Sequence, residues 1–165
     1  MEIEIIPAGP DLKSVVLNLG LYYIYDFTEM LGFRCPDSGL FRTDIWDKYW
    51  TEPNRWPFLF RVGGEVAGFA LVHTECSQPD TQYDMDQFFI MRKFRRRGLG
   101  GAAAMGLFDR FRGRWEVRQV VQNLPAQAFW RKVIGRYTGG KYRELPEPVQ
   151  VEDWLDVVQL FDNRL

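Results

Sequence analysis

The stretch KFRRRGLGGAAAMGLFDRF, Lys93 to Phe111, changes character halfway along: a knot of arginines, three glycines in four residues, then an apolar pattern with helical spacing. Glycines let a backbone approach a partner closely and take positive φ, and the first turn of a helix presents unpaired N–H groups at the positive end of its dipole. Positive charge, bare backbone and a helix start therefore meet at one point, which is what a phosphate needs. Arg95, Arg96 and Arg97 would add charge around such a nest. Arginine runs alone are usually solvated faces; Gly98, Gly100 and Gly101 directly before the helix are what favour the anion.

At 165 residues, 46% of them apolar and 16% aromatic, the chain is expected to form a single domain over 1–165 with a real core. A disordered chain is excluded. Cys35 and Cys76 form no disulfide framework, and the acidic opening MEIEIIPAGPD does not read as a secretory leader, so a cytoplasmic setting is expected. Asn18, Asp26 and Glu29 interrupt the longest candidate membrane span, and no membrane association is expected. One His and two Cys cannot assemble the usual zinc sets, so no metal is expected. The net charge of −1 conceals a polarity: Arg92 to Arg118 holds nine basic and two acidic residues, a local +7, leaving −8 elsewhere. A compact basic locus in an acidic chain suits one small polyanion beside an acid-lined site. It argues against a nucleic-acid binder.

Outward from the quoted stretch, MEIEIIP reads as a strand and Asp11 to about Met30 as a helix with an apolar face through Val15, Leu19, Tyr22 and Tyr23. A short helix over Asp44 to Trp50 precedes a hairpin of Phe58–Val62 and Val66–His73 around Gly63-Gly64. Gln82 to Met91 reads as the strand feeding the glycine loop. Trp115–Val121 is the next strand and Leu124 to about Ile134 the next helix, with Asn123 as N-cap and Pro125 in its first turn. Strand, helix, strand, helix predicts a parallel pair at the sheet centre. Gly139–Leu145 and Trp154–Phe161 complete the strands.

The run from Phe88 to Gly100 resembles the acetyl-CoA motif of the GNAT N-acetyltransferases, a strand followed by Q/R-x-x-G-x-G/A and a helix, with Arg95, Gly98 and Gly100 at the defining positions. Asn123-Leu124-Pro125-Ala126 and Phe129-Trp130 resemble the second motif of that family. The resemblance implies an α/β (mixed α+β) fold: a central mixed sheet of six to seven strands, flanked by helices, with two parallel strands splayed apart. It implies acetyl-CoA as cosubstrate, its pyrophosphate on backbone N–H groups around Arg96, Arg97, Gly98, Leu99, Gly100, Gly101 and Ala102. The pantetheine would run along Phe89, Ile90 and Met91, near Phe129 and Trp130. Asn123 either bonds the pantetheine or only caps its helix.

Acetyl transfer to an amine needs a neutral amine, an oxyanion partner and a proton for the leaving thiolate. An alkylamine of pKa ~10.4 is only about one part in a thousand neutral at pH 7, so a base is required. Period-two geometry places Asp84 and Asp86 on one face with Phe88 and Ile90, and these aspartates are the candidate bases, acting through water. A backbone N–H near Ile90 or Met91 is the implied oxyanion partner. Trp130 stands where many relatives carry a tyrosine, and indole cannot replace a phenol as acid. Tyr137 is therefore the candidate proton donor, with Tyr142 and water as alternatives; His73 is read as structural or exposed. Tyr22, Tyr25, Asp26 and Glu29 are the candidate acceptor-binding residues, combining aromatic faces with carboxylates suited to a cation. The expected acceptor is a small-molecule amine or a peptide amino group. The sequence leaves room for a homodimer, and for a CoA-binding regulatory protein without transfer chemistry.

Overall fold

In the computed structural model, which describes residues 2–164, alternating side chains build two cores on opposite faces of one mixed sheet. The strands are β1 (Ile3–Pro7), β2 (Arg55–Val62), β3 (Glu65–His73), β4 (Tyr83–Ile90), β5 (Arg114–Val120), β6 (Arg143–Glu144), β7 (Val149–Val151) and β8 (Trp154–Asp162). The helices are α1 (Lys13–Leu31), α2 (Lys48–Thr51), α3 (Leu99–Arg110) and α4 (Leu124–Thr138). Spatial order is β1-β2-β3-β4-β5-β8-β6, with β7 also paired to β8. Phe58, Phe60, Ala70 and Val72 face Leu107, Phe108, Trp130 and Ile134 of α3 and α4. Leu59, Phe69 and Leu71, one residue out of phase, face Val16, Leu19, Trp46 and Tyr49 on the α1 and α2 side.

One irregularity in β4 overturns an expectation. Its neighbour β3 pairs Leu71 with Gln87 but Val72 with Met85, leaving Asp86 as the extra residue of a β-bulge. The alternation therefore changes phase in mid-strand. Phe88 and Ile90 enter the α3/α4 core, whereas Asp84 and Asp86 turn to the α1/α2 side, where Phe89 also packs. The four residues do not share a face. Just beyond the bulge, β3 comes so close to β4 that a Cβ on Gly68 would run into the Phe89 carbonyl oxygen. Only glycine fits there.

The parallel contact of β4 with β5 is confined to Tyr83–Trp115 and Asp84–Glu116. Beyond it β5 continues along β8 from Arg114–Asp162 to Val120–Asp156, so the sheet opens between β4 and β5 while both neighbours hold their outer partners. This is the expected splay.

Elsewhere the sequence reading needs smaller corrections. On α1 the buried residues are Val16, Leu19 and Gly20, and Tyr22 is 58% exposed, because the helix turns its Gly20 side to receive the Trp46 ring. The helix expected over Asp44–Trp50 breaks into a 3-10 turn, Asp44–Trp46, and α2. Strand Gly139–Leu145 shrinks to Arg143–Glu144, since α4 runs on to Thr138 and ends in left-handed Gly139 and Gly140. The residues after Pro148 pair again as β7, giving eight strands among the described residues rather than six to seven. Expected first-strand residue Met1 lies outside the described residues. Among the described residues, no helix is long and apolar enough to cross a membrane.

Candidate active site

The glycine loop leaves β4 and enters α3 through two left-handed residues, Arg96 (φ 60°) and Gly98 (φ 78°). Gly98 is the N-cap and no side chain caps α3. The Ala102 N–H reaches back to the Gly98 carbonyl, while the N–H groups of Leu99, Gly100 and Gly101 are the first-turn donors a helix cannot pair internally. A Cβ on Gly98 would meet no heavy atom within 4 Å, so open space lies beside these donors. Arg96, Arg97 and Ala102 are exposed around them; Leu99 is buried and anchors the turn.

Arg95 does not face this space. Its Nε donates to the Ile90 carbonyl at 2.6 Å and its Nη2 to Asp26 at 2.8 Å, and Arg92 donates to the same carboxylate at 2.7 Å. Burial opposes the charge on Asp26, but hydrogen bonds from Arg95 and Arg92 hold its carboxyl below the ordinary carboxylate range. The two arginines thus clasp the loop to α1. Both oxygens of Asp26, a residue expected at the acceptor, are engaged in that clasp.

At the gap itself, Met91 N–H donates to the Ala67 carbonyl at 2.9 Å, toward β3. Alternation then turns the Ile90 N–H to the opposite edge, into the gap. Of the two expected oxyanion donors, Ile90 is the free one. Phe129 stacks on Phe88 at 5.8 Å, and a Cβ on Gly100 would come within 3.3 Å of the Phe129 ring. Trp130 lies beneath, 5% exposed, between Phe88, Phe108 and Phe129. It is core, and Phe129 forms the nearer wall. Asn123 Oδ1 accepts the Ala126 N–H at 3.1 Å, the capping alternative.

Tyr137 is not brought to the gap. Its hydroxyl donates to Asp109 at 2.7 Å and its ring packs on Phe108 and Phe161. It stands eleven residues beyond Ala126 on the same helix, about 16 Å along its axis. Tyr142 packs beside Gly135 on that face. Tyr22 and Tyr25 point outward at 58% and 64% exposure; Glu29 is exposed too, and Tyr25 and Glu29 neighbour Arg92. Tyr23, beside them in sequence, turns inward against Phe69 and Phe89.

The two aspartates differ sharply. Asp84 is fully buried and accepts from Arg118 of β5 at 2.6 and 3.1 Å; the same guanidinium donates to Asp156 of β8 at 3.1 Å. Asp86 keeps 19% of its side chain exposed. Its Oδ2 accepts the Tyr49 hydroxyl at 2.6 Å and its Oδ1 the Gln87 amide at 3.0 Å. Burial and the charge of Asp84 push the Asp86 carboxyl up, against the opposing pull of His73, Tyr49 and Arg118. Burial also pushes up Asp156, and the Tyr23 hydroxyl is raised by burial and by its neighbours Asp86 and Asp156. Nearby, Glu116 accepts the Ser77 and Gln78 N–H groups and the Thr81 hydroxyl, which ties the loop before β4 to β5.

His73 is neither peripheral nor exposed. It is 6% exposed, and its Nε2 lies 3.4 Å from Asp84 Oδ2 and 3.9 Å from Asp86 Oδ1. These three residues have the count and spacing of a metal-ligand group. The donor chemistry does not fit: Nδ1 accepts the Glu75 N–H at 3.0 Å, so Nε2 carries the ring hydrogen and has no lone pair to give. Tyr49, Arg118, Asp156 and Tyr23 escaped the sequence reading because strand pairing and helix docking, not spacing, bring them here. The GG-turn hairpin ending at His73 was the one usable signal.

The matched family model is the acetyltransferase (GNAT) family, over residues 22–135, more than half the chain. The chain belongs to that family and is an acyltransferase. Its fold is similar to that of an acetyltransferase from Thermus thermophilus, with a TM-score of 0.69 and 14% identity over 98% of this chain and 97% of that one. It is also similar to aminoglycoside acetyltransferase AAC(6')-Ib in complex with coenzyme A and kanamycin, with a TM-score of 0.67 and 14% identity over 99% and 96%. Arabidopsis thaliana NAA60 in complex with a bisubstrate analogue gives a TM-score of 0.61 and 11% identity over 97% of each chain. No curated protein matches the sequence.

Proposed function

We propose that this chain transfers an acetyl group from acetyl-CoA to a primary amine of a small molecule or peptide, with Asp86 as the general base. The observation that carries this is the bulge: it delivers one partly exposed carboxylate to the opening between β4 and β5, at the other end of which stands an uncapped helix N-terminus. The fit to the donor rests on the open space at Gly98, the first-turn donors of Leu99, Gly100 and Gly101, and the exposed Arg96 and Arg97. Phe129 and the Ile90 N–H on the open edge of β4 suit the apolar arm of the carrier; the thioester supplies the acetyl group.

Asp86, with its carboxylate held by Tyr49 and Gln87, takes the proton that the acceptor ammonium must lose, directly or through one water. The amine nitrogen bonds to the carbonyl carbon as the carbon–sulfur bond breaks, and the Ile90 N–H meets the negative charge that develops on oxygen. The second proton leaves the nitrogen after attack and passes through water to the departing thiolate, of pKa near ~8.5. Asp84 is a counter-charge for Arg118 and not a second base. Solved relatives of this fold include one with kanamycin and one with a bisubstrate analogue, which supports an amine acceptor at the level of class. The test is thiol release from acetyl-CoA across a panel of amines at several pH values. Turnover by the wild type that falls by about 10²-fold or more in Asp86→Asn and loses its acid limb, with acetyl-CoA binding retained, is the expected result; thiol release unaffected by that substitution contradicts it.

A further inference from the structure

We propose that His73 is the positioning residue for Asp86: locked in one tautomer, it aims its Nε2–H between Asp84 and Asp86 and keeps Asp86 an available anion beside a second buried aspartate. The inference rests on Asp86 being the base. Its evidence is geometric. The ring comes from the end of β3, directly opposite Asp84 in the strand register, and is buried. The Glu75 N–H, two residues on, occupies the Nδ1 lone pair at 3.0 Å and so fixes the hydrogen on Nε2. Tyr49 packs edge-on against the ring at 6.2 Å and 89°.

Among the described residues, Nε2 is buried without a hydrogen-bond partner of good geometry, because its hydrogen falls between two carboxylates and not on either one. A donor so placed diminishes the repulsion between them without being consumed by one. The other groups around Asp86 cannot replace it. Tyr49 of α2 binds the far oxygen, Gln87 of β4 is neutral, Arg118 of β5 is committed to Asp84 and Asp156 of β8, and Tyr23 of α1 neighbours both Asp86 and Asp156. No proton passes through the imidazole, since one nitrogen is occupied by a donor and the other already bears hydrogen.

The experiment is the pH dependence of kcat/KM for wild type, His73→Leu, His73→Gln and Asp86→Asn, with acetyl-CoA stabilisation confirming that each variant is folded. In His73→Leu the acid limb should move up by about one pH unit, roughly a tenfold loss below the limb that recovers above it, with KM for acetyl-CoA unchanged. His73→Gln, which keeps an N–H, should hold the limb near its wild-type position. If Asp86→Asn abolishes the limb while a folded His73→Leu leaves it in place, this inference fails alone; if Asp86→Asn leaves the limb in place, the base assignment fails instead. The chain has one histidine, so its ¹⁵N ring signals need no assignment and require no variant to fold. They should show the Nε2–H tautomer and a step at the midpoint of the limb; the Nδ1–H tautomer, or flat signals across the limb, overturns the proposal.

Discussion

Asp86 and Asp84 are two residues apart on one strand, yet the structure gives them opposite work. Asp84 belongs to a buried ion pair with Arg118; replacing it with Asn leaves that guanidinium with one fewer partner, and urea unfolding should show a loss of about 3–5 kcal/mol. Asp86→Asn should unfold near the wild-type midpoint while kcat falls by about 10²-fold or more, read by thiol release. The pH behaviour of Asp86 has a definite sign. Its carboxyl titrates above the ordinary range in the folded state, so activity rises as pH climbs through that raised value. The folded chain also binds the proton more tightly than the unfolded one, so this group's contribution to stability falls over the window from the ordinary carboxylate value up to the raised one. Parallel pH series of activity and unfolding should therefore run in opposite directions in that window, and Asp86→Asn should remove both trends. The sequence made the two aspartates candidates together. It could not separate them, because what separates them is a register slip and an arginine from another strand.

At the scale of elements, the legible features were those with local chemistry. The helix start at Gly98, the cap at Asn123 and the hairpin at Gly63-Gly64 each follow from residues adjacent in the chain, and the structure has all three. The bulge in β4 has no such signature. It is a slip in the pairing of two strands between Leu71 and Val72, and a perfectly alternating strand was the natural reading. The clasp of Arg92 and Arg95 on Asp26 was equally hidden, since it joins residues 66 and 69 positions apart. It yields a prediction of its own: Asp26→Ala should loosen the glycine loop and raise KM for acetyl-CoA several-fold, leaving the acid limb of the pH profile where it was. A shift of that limb would show that Asp26 serves the acceptor side after all.

At the scale of the molecule, the charge polarity visible in composition becomes a division of labour across the sheet opening: the basic loop and helix N-terminus at one end, Asp84, Asp86 and Asp156 at the other. Arg96 and Arg97 are exposed, so their attraction to a polyanion is screened by salt. Calorimetric affinity for acetyl-CoA should weaken with ionic strength, and Arg96→Ala with Arg97→Ala should flatten that dependence. Acetyl-CoA at a hundred times its dissociation constant should stabilise the fold by about 2.7 kcal/mol, visible as a thermal shift. Gly98→Ala should diminish both responses, because φ of 78° disfavours any side chain and the added carbon enters the open space beside the first-turn donors. Fold class, the helix start after the glycines and overall polarity were readable in advance because each is written in local residue types. The acid cluster was not, since it is assembled by α1, α2 and four strands.

The most direct measurement is a crystal structure of the acetyl-CoA complex. The account predicts diphosphate oxygens within hydrogen-bond distance of the Leu99, Gly100 and Gly101 N–H groups, with the thioester in the opening between β4 and β5 beside Ile90 and Asp86. A carrier bound elsewhere, or an opening that closes and leaves the thioester remote from Asp86, would contradict it.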